Sequence, residues 1–200
     1  MDKILLLGTG GHTRSCIEIV EQENKFKIAG LISKSSSKNS TFLGYPILGD
    51  DNDLSTLREK FDNALITVGQ IKSPNIRIKL YRLLKKLGFT LPVIKSPRAY
   101  VSKRSKIGEG TIIMHDSIVN ANVQIGINCI INNKSLIEHD VNIGDFCHIA
   151  TGTIINGLVS IGNKNFIGSG VVTKQSIIIG NNCVIGAGLI LKNNVYSNEI

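Results

Sequence analysis

From Val101 to Leu191, every sixth residue falls into a single column: Val101, Ile107, Ile113, Val119, Ile125, Ile131, Ile137, Ile143, Ile149, Ile155, Ile161, Ile167, Thr173, Ile179, Ile185, Leu191. Fifteen of the sixteen are aliphatic, twelve are Ile, and the phase never slips. With about a third of the region being Ile, Leu or Val, chance agreement is about one in a million. A period of six excludes an α-helix. One hexapeptide cannot bury its own apolar residue, but stacked coils place the whole column inside a continuous core. Three six-residue faces make an 18-residue coil, so the region predicts a parallel β-helix of about five coils. Gly follows the column residue at 108, 126, 144, 162, 168, 180 and 186, and is expected to supply the unusual backbone of the corners. Two residues before the column the side chain is usually small, as at Ser105, Thr111, Ser117, Ser135 and Thr153. Cys129, Cys147 and Cys183 share that phase and are read as core fillers. With Cys16 they form no C-x-x-C pair, which implies a reducing compartment and no disulfide framework.

Residues 1–95 follow different rules and are expected to form a separate α/β domain, with the β-helix over 96–200. Lys3–Leu7 reads as a strand running into Gly8-Thr9-Gly10-Gly11-His12 and then a helix carrying Ile17 and Val20. Ile28–Ile32 and Leu65–Val68 read as further strands, and Ser33–Ser40 as a polar loop. Ser73-Pro74 is expected to start a helix in which Ile76, Leu80, Leu83, Leu84 and Leu87 keep helical spacing up to Gly88. Strand, Gly-rich loop, helix, strand is the opening of a Rossmann-like parallel unit. The loop lacks two parts of a full dinucleotide fingerprint: Thr13 replaces the third Gly, and Ser33 stands where an acidic residue would end the second strand. A redox dinucleotide site is therefore not expected. The helix N-terminus still suits a phosphate, and a turn that merely caps the helix is the plainer reading.

The net charge is +8, which invites a nucleic-acid reading. The cations are spread along the chain, however, and the six Phe and four Tyr are not interleaved with them as a stacking platform needs. Anionic small molecules fit the charge equally well, so no nucleic-acid partner is expected. Apolar runs are too short for a membrane span, and Met1-Asp2-Lys3 has the wrong flanks for a signal peptide. The expected location is the cytoplasm.

The hexapeptide period with Ile-Gly corners resembles the hexapeptide-repeat acyltransferases, whose β-helix is left-handed and whose usual assembly is a homotrimer. A tighter likeness joins both halves. Gly8-x-Gly10-Gly11-His12 precedes the small α/β domain, and the repeat region carries Ser135-Leu136-Ile137-Glu138-His139-Asp140, Ile143-Gly144-Asp145-x-x-His148-Ile149 and Asn156-Gly157-x-Val159-x-Ile161-Gly162. That arrangement is similar to the NeuD/PglD-like sugar acetyltransferases of bacterial surface-glycan and sialic acid biosynthesis. The resemblance implies an enzyme using acetyl-CoA and a sugar or sugar-nucleotide acceptor, without a metal. It covers both N-acetyltransferases of nucleotide-linked amino sugars and sialic acid O-acetyltransferases. A non-catalytic nucleotide-sugar scaffold on the same fold is the rival from another class.

Within that resemblance His139 is the candidate base and Asp140 its partner, where the family more often has Glu. His139 lies two residues past a core Ile, hence on the outer surface near a corner. Gly157 follows it by 18 residues, one full coil, so its N–H is a candidate oxyanion donor. His115-Asp116 repeats the dipeptide 24 residues earlier, on a different face, with Asn133 rather than Gly one coil on. His148 matches the family's second histidine, contacting coenzyme or acceptor; a buried hydrogen-bonded corner His is the alternative. The spacing of His115, His139 and His148 does not converge on an open zinc site. Coenzyme contacts are expected around Ser169, Ala187 and Lys192, since relatives run into a Gly-x-Pro-Ala tail where this sequence has Asn198-Glu199-Ile200. Gly8, Gly10, Gly11, His12, Ser33 and Gly69 are the candidate acceptor-binding residues.

Overall fold

The computed structural model describes residues 1–34 and 40–199, so most of the polar segment after Lys34 lies outside the described residues. The chain divides into two compact units: Met1–Gly69 with Asn75–Pro92, and Gln70–Pro74 with Val93–Ile200. Among the described residues no helix is long and apolar enough to cross a membrane.

The first unit is built from β1 (Asp2–Leu7), α1 (Gly11–Glu23), β2 (Phe26–Ile32), β3 (Thr41–Phe42), β4 (Tyr45–Gly49), α2 (Leu54–Arg58), β5 (Asn63–Ile66) and α3 (Asn75–Lys86). The sheet order is β3-β4-β2-β1-β5, parallel except for the short edge strand β3. Leu5, Leu7, Ile32 and Ile66 of the strands pack with Leu54, Leu80 and Leu84 of α2 and α3 in one core. Two sequence boundaries move. The strand expected over Leu65–Val68 is β5 at Asn63–Ile66, and the helix expected from Ser73-Pro74 begins at Asn75. The Pro cannot continue the helical bonding toward the N-terminus, so it stands just before the first turn. The strands β3 and β4 and the helix α2 carried no periodic signal in so few residues. Ile76 keeps the expected helical phase but is 63% exposed.

The second unit is the predicted coil stack. Strands of two residues pair in parallel at a spacing of 18, for example Ile118↔Leu136, Gln124↔Asn142 and Ile130↔His148. They form three sheets of six, six and five strands. The first face runs through Ile94–Lys95, Ile130–Ile131 and His148–Ile149. The second runs through Tyr100–Val101, Leu136–Ile137 and Ile190–Leu191, and the third through Lys106–Ile107 and Asn142–Ile143. The column Ile113 to Ile185 is buried in a single core with Val123, Val141, Val159 and the three cysteines. Each fully buried Ile contributes about 1.5–3 kcal/mol of apolar transfer. The stack begins one hexapeptide before the aliphatic column, at Ile94–Lys95, where the position in phase is the half-buried Lys95.

The expected role of the column glycines is corrected. Gly108, Gly126, Gly144, Gly162, Gly168 and Gly180 are not in the left-handed region. A Cβ on any of them would lie 2.3–2.6 Å from an atom of the following coil, so they are Gly because successive coils approach closely. The left-handed position is two residues further on. It holds Asp116, Asn122, Asn128, Lys134, Asp140, Phe146, Leu158, Lys164, Ser176 and Asn182 with φ between 51° and 64°, and Gly110, Gly152, Gly170 and Gly188. Hydrogen bonds between coils overdetermine that corner, so even Leu and Phe are accommodated there.

Inside one corner, Thr111, Cys129, Cys147, Asn165 and Cys183 stack as a hydrogen-bonding ladder. The Cys129 thiol donates to the Gly144 carbonyl at 3.1 Å and accepts the Cys147 N–H at 3.4 Å, as the Thr111 hydroxyl donates to Gly126 and accepts the Cys129 N–H. Burial, with the neighbouring Cys129, pushes the Cys147 thiol well up. All four cysteines are buried. Cys129→Ala should therefore cost about 1–3 kcal/mol, read by urea denaturation, with Cys129→Ser closer to wild type because it keeps a donor and an acceptor. A thiol reagent should titrate none of the four before unfolding.

Candidate active site

In the first unit, Leu7-Gly8-Thr9-Gly10, Ile32-Ser33-Lys34, Asp51 and Val68 meet residues of α3 around a cleft of about 440 Å³. This is the carboxyl end of the parallel strands, where the order switches direction between β1 and β5. Gly8, at φ 131°, is required twice over: a Cβ there would also lie 3.1–3.2 Å from Val68, Thr13 and Thr67. Thr13, in place of the fingerprint glycine, is fully buried and donates to the Thr67 carbonyl at 3.2 Å, so it ties α1 to the end of β5. Gly10 caps α1 without a side-chain bond, and the first turn holds no acidic residue. The positive end of the helix dipole is therefore uncompensated beside the cleft.

Of the expected acceptor residues, Gly8, Gly10 and Ser33 line this cleft, while Gly11, His12 and Gly69 do not. The Ser33 hydroxyl is bonded to Thr9 at 2.9 Å. The acidic residue absent from the end of β2 is supplied one strand over: Asp51 follows β4 and pairs with Lys34 at 2.8 Å. Asp51 and Lys79 were missed in the sequence, because β4 was unrecognised and Lys79 reads as ordinary helix surface. Arg77 is almost fully buried and donates to the carbonyls of Ile66 and Val68, which anchors the strand end below the cleft.

In the second unit, the corner after the second face carries Glu138-His139-Asp140, then one coil on Asn156-Gly157-Leu158, then Lys174-Gln175. All of these but Asp140 line a groove of about 530 Å³. The His139 ring is exposed, and its Nδ1 lies 2.8 Å from Asp140 Oδ2. The Asn122 amide donates to Asp140 Oδ1 at 2.6 Å. That bond first, and His139 second, hold the Asp140 carboxyl below the usual carboxylate range. An ionised Asp140 can only accept, so Nδ1 carries the hydrogen and Nε2 keeps its lone pair. Nε2 points toward Gly157: a Cβ there would lie 2.9 Å from Nε2 and Cε1. No acceptor among the described residues takes the Gly157 N–H. The preceding residue is held on both sides, since the Asn156 N–H donates to Thr173 Oγ1 at 3.0 Å and its side chain to the Thr173 carbonyl at 2.5 Å. Thr173 is the one break in the aliphatic column. That break was the available signal for a specialised position.

The groove continues along the same corner past Lys174 and Gln175 to Lys192 and Tyr196, in a second cleft of about 570 Å³. Lys192, a candidate coenzyme contact, lines it together with Lys174, which the sequence did not single out. Ser169 and Ala187 lie on the corner between the first and second faces and do not line this groove. His148 lies on the first face, nearly buried. Its Nδ1 meets the Gln70 carbonyl at 2.5 Å, so Nδ1 is the donor, and Nε2 accepts from Asn132 at 3.1 Å. Gln70 itself donates to the Phe146 carbonyl at 2.8 Å, which ties the segment Gln70–Pro74 to the second unit. Among the described residues, no group of three or more His, Cys, Asp or Glu is placed to hold a metal ion.

A base with one ring nitrogen fixed and the other facing an open groove, beside a free backbone N–H, is equipped for acyl transfer. The comparisons with known proteins agree with that chemistry. No curated protein matches the sequence. Residues 3–84 match the family described as the PglD N-terminal domain. A mutant of perosamine N-acetyltransferase from Caulobacter crescentus, in complex with CoA and GDP-perosamine, superposes with a TM-score of 0.92 at 28% identity, covering 98% of this chain and 91% of that one. The acetyltransferase domain of PglB from Neisseria gonorrhoeae, in complex with acetyl coenzyme A, gives 0.91 at 26% identity over 98% and 93%. WeeI from Acinetobacter baumannii gives 0.89 at 26% identity over 98% and 94%. Residues 3–84 thus form a PglD N-terminal domain, and the whole chain has the architecture of the NeuD/PglD-like sugar acetyltransferases, a Rossmann-like α/β domain followed by a left-handed parallel β-helix.

Proposed function

We propose that this acetyl-CoA-dependent sugar acetyltransferase acts on the amino group of a nucleotide-activated amino sugar in bacterial surface-glycan biosynthesis, with His139 as general base. The observation that carries the reading is the His139–Asp140 pair, with Nε2 close to Gly157, where an added Cβ would lie 2.9 Å away. The acceptor amine attacks the thioester carbonyl while His139 Nε2 takes its proton. The Gly157 N–H donates to the oxygen as it becomes an oxyanion. Collapse expels the coenzyme thiolate, which recovers the proton from the imidazolium, leaving an amide and free thiol. Lys174 and Lys192 are cations suited to the coenzyme phosphates. In the first unit, the α1 N-terminus, Lys34 and Lys79 suit the phosphates of the nucleotide, and Asp51 a ribose hydroxyl.

The amine acceptor is favoured because the relative from Caulobacter crescentus holds GDP-perosamine with CoA at 28% identity over nearly the whole chain. The test is coenzyme A release with nucleotide-linked amino sugars set against free and CMP-activated sialic acid. Release with the amino sugars is expected. Turnover of the sialic acids alone would replace this reading with O-acetylation, and acceptor binding without any turnover would leave a scaffold.

The active assembly is a homotrimer in this reading. The outward positions of the second face form an apolar stripe of Tyr100, Ile118, Leu136, Ile154, Val172 and Ile190, of which Ile190 is 67% exposed. The third face shows Lys106, Gln124, Asn142 and Ser160, and turns apolar only at Ile178 of its last strand. Further copies of this chain are the occupant that repeats at the same 18-residue spacing. Sedimentation equilibrium should give three chains, and Ile118→Lys with Ile154→Lys should dissociate them.

A further inference from the structure

The dipeptide His-Asp occurs twice in the β-helix, at 115–116 and 139–140, with the aspartate in the same left-handed conformation, φ 58° and 60°. The two copies make different bonds. At the first, Arg98 takes both oxygens of Asp116, Nε on Oδ1 at 3.0 Å and Nη2 on Oδ2 at 2.5 Å, and His115 Nδ1 is left to the Ser96 hydroxyl at 2.7 Å. At the second, Asn122 takes only Oδ1, at 2.6 Å, and Oδ2 receives His139 Nδ1 at 2.8 Å. Arg98 and Asn122 each stand 18 residues before their aspartate, one coil earlier on the same corner. Neighbouring Asn120 holds Glu138 in the same way, at 3.0 Å.

We propose that Asn122 is a positioning residue that makes the His139–Asp140 pair: the side chain one coil earlier decides whether a His-Asp corner forms a dyad. A single amide N–H fixes one carboxylate oxygen and leaves the other directed at the imidazole. A guanidinium fork matches both oxygens at once and withdraws the carboxylate from its histidine. Because Asp140 is partly exposed, water would otherwise compete for its oxygens and let the side chain turn away. The catalytic consequence rests on His139 being the base; the effect on the pair itself does not.

The test compares Asn122→Arg, Asn122→Gly and Asp140→Asn in the full chain. Gly suits the left-handed backbone of position 122, φ 61°, and removes only the side chain. Arg is compatible with it as well, since Lys134 and Lys164 hold φ 59° and 64°. The first readout is the tautomer of His139 by imidazole ¹⁵N NMR, and the second is kcat and KM with acetyl-CoA and an amino-sugar nucleotide. Wild type should show a hydrogen fixed on Nδ1. Asn122→Arg should abolish that state and lower kcat roughly 10–100-fold with KM little changed. Asn122→Gly should fall in between, and Asp140→Asn added to Asn122→Arg should cost nothing further. Asn122→Arg or Asn122→Gly with the wild-type tautomer would overturn the proposal. A lost tautomer with unchanged kcat would uphold the positioning of the pair and remove His139 from the chemistry.

Discussion

His139→Ala should lower kcat by about 10²–10⁴-fold, the usual contribution of a positioned general base, while the thermal midpoint and the binding of both substrates change little. The ring is exposed and carries no part of the core, so its loss leaves the coil stack intact. Asp140→Asn should act in the same direction, because an amide in place of the carboxylate no longer compels the hydrogen onto Nδ1. Asp140 is held below the ordinary carboxylate range by Asn122 and His139. The sign follows: a carboxyl held below the ordinary range stays ionised as the pH falls past the usual carboxylate range, so the Asp140 charge beside the ring is lost only further to the acid side. A variant turning over at near the wild-type rate would remove His139 from the mechanism.

Gly157→Ala should cost about 10²-fold in kcat without unfolding the protein. Gly157 is not in the left-handed region, so Ala is compatible with its backbone. The added Cβ would lie 2.9 Å from His139 Cε1 and Nε2, closer than real contacts allow, and the mobile partner is the imidazole. The ring must swing outward, which lengthens its bond to Asp140 and moves Nε2 away from the Gly157 N–H. A displacement near 1 Å at reacting atoms has about that kinetic effect. Kinetics and thermal melts of the single and double variants separate this from instability. Gly157→Ala should add little in a His139→Ala background, because both remove the same base. By contrast Gly126→Ala, which would set a Cβ 2.3 Å from Asp145 Oδ1 and 2.7 Å from the next coil's backbone, should act on stability.

Much of the second unit was legible because its rule is local and repeated. The column at every sixth residue placed the core, the small residues before it placed the corners, and one coil of separation set His139 against Gly157. What escaped lay where the repeat is imperfect. Lys95 concealed the first strand, because the end of the stack needs no aliphatic residue. Thr173, the one non-aliphatic residue of the column, was given no role, yet it holds the peptide before Gly157. The column glycines were assigned the wrong reason, since a period shows where Gly recurs and not whether dihedral freedom or close approach demands it. In the first unit, five-residue β4 left no pattern, so Asp51 was invisible as a cleft residue and Ser33 stood alone as a departure.

The sequence by itself determined the coil stack and set His139 one coil before Gly157, because residues six or eighteen positions apart obey one repeated packing rule. Only the tertiary structure decided which groups are free to act there. His115-Asp116 and His139-Asp140 are the same dipeptide with the aspartate in the same backbone conformation, and only in the second does the aspartate bond its histidine. The difference lies in Arg98 and Asn122, one coil away, because a carboxylate has two oxygens and its neighbours compete for them in space.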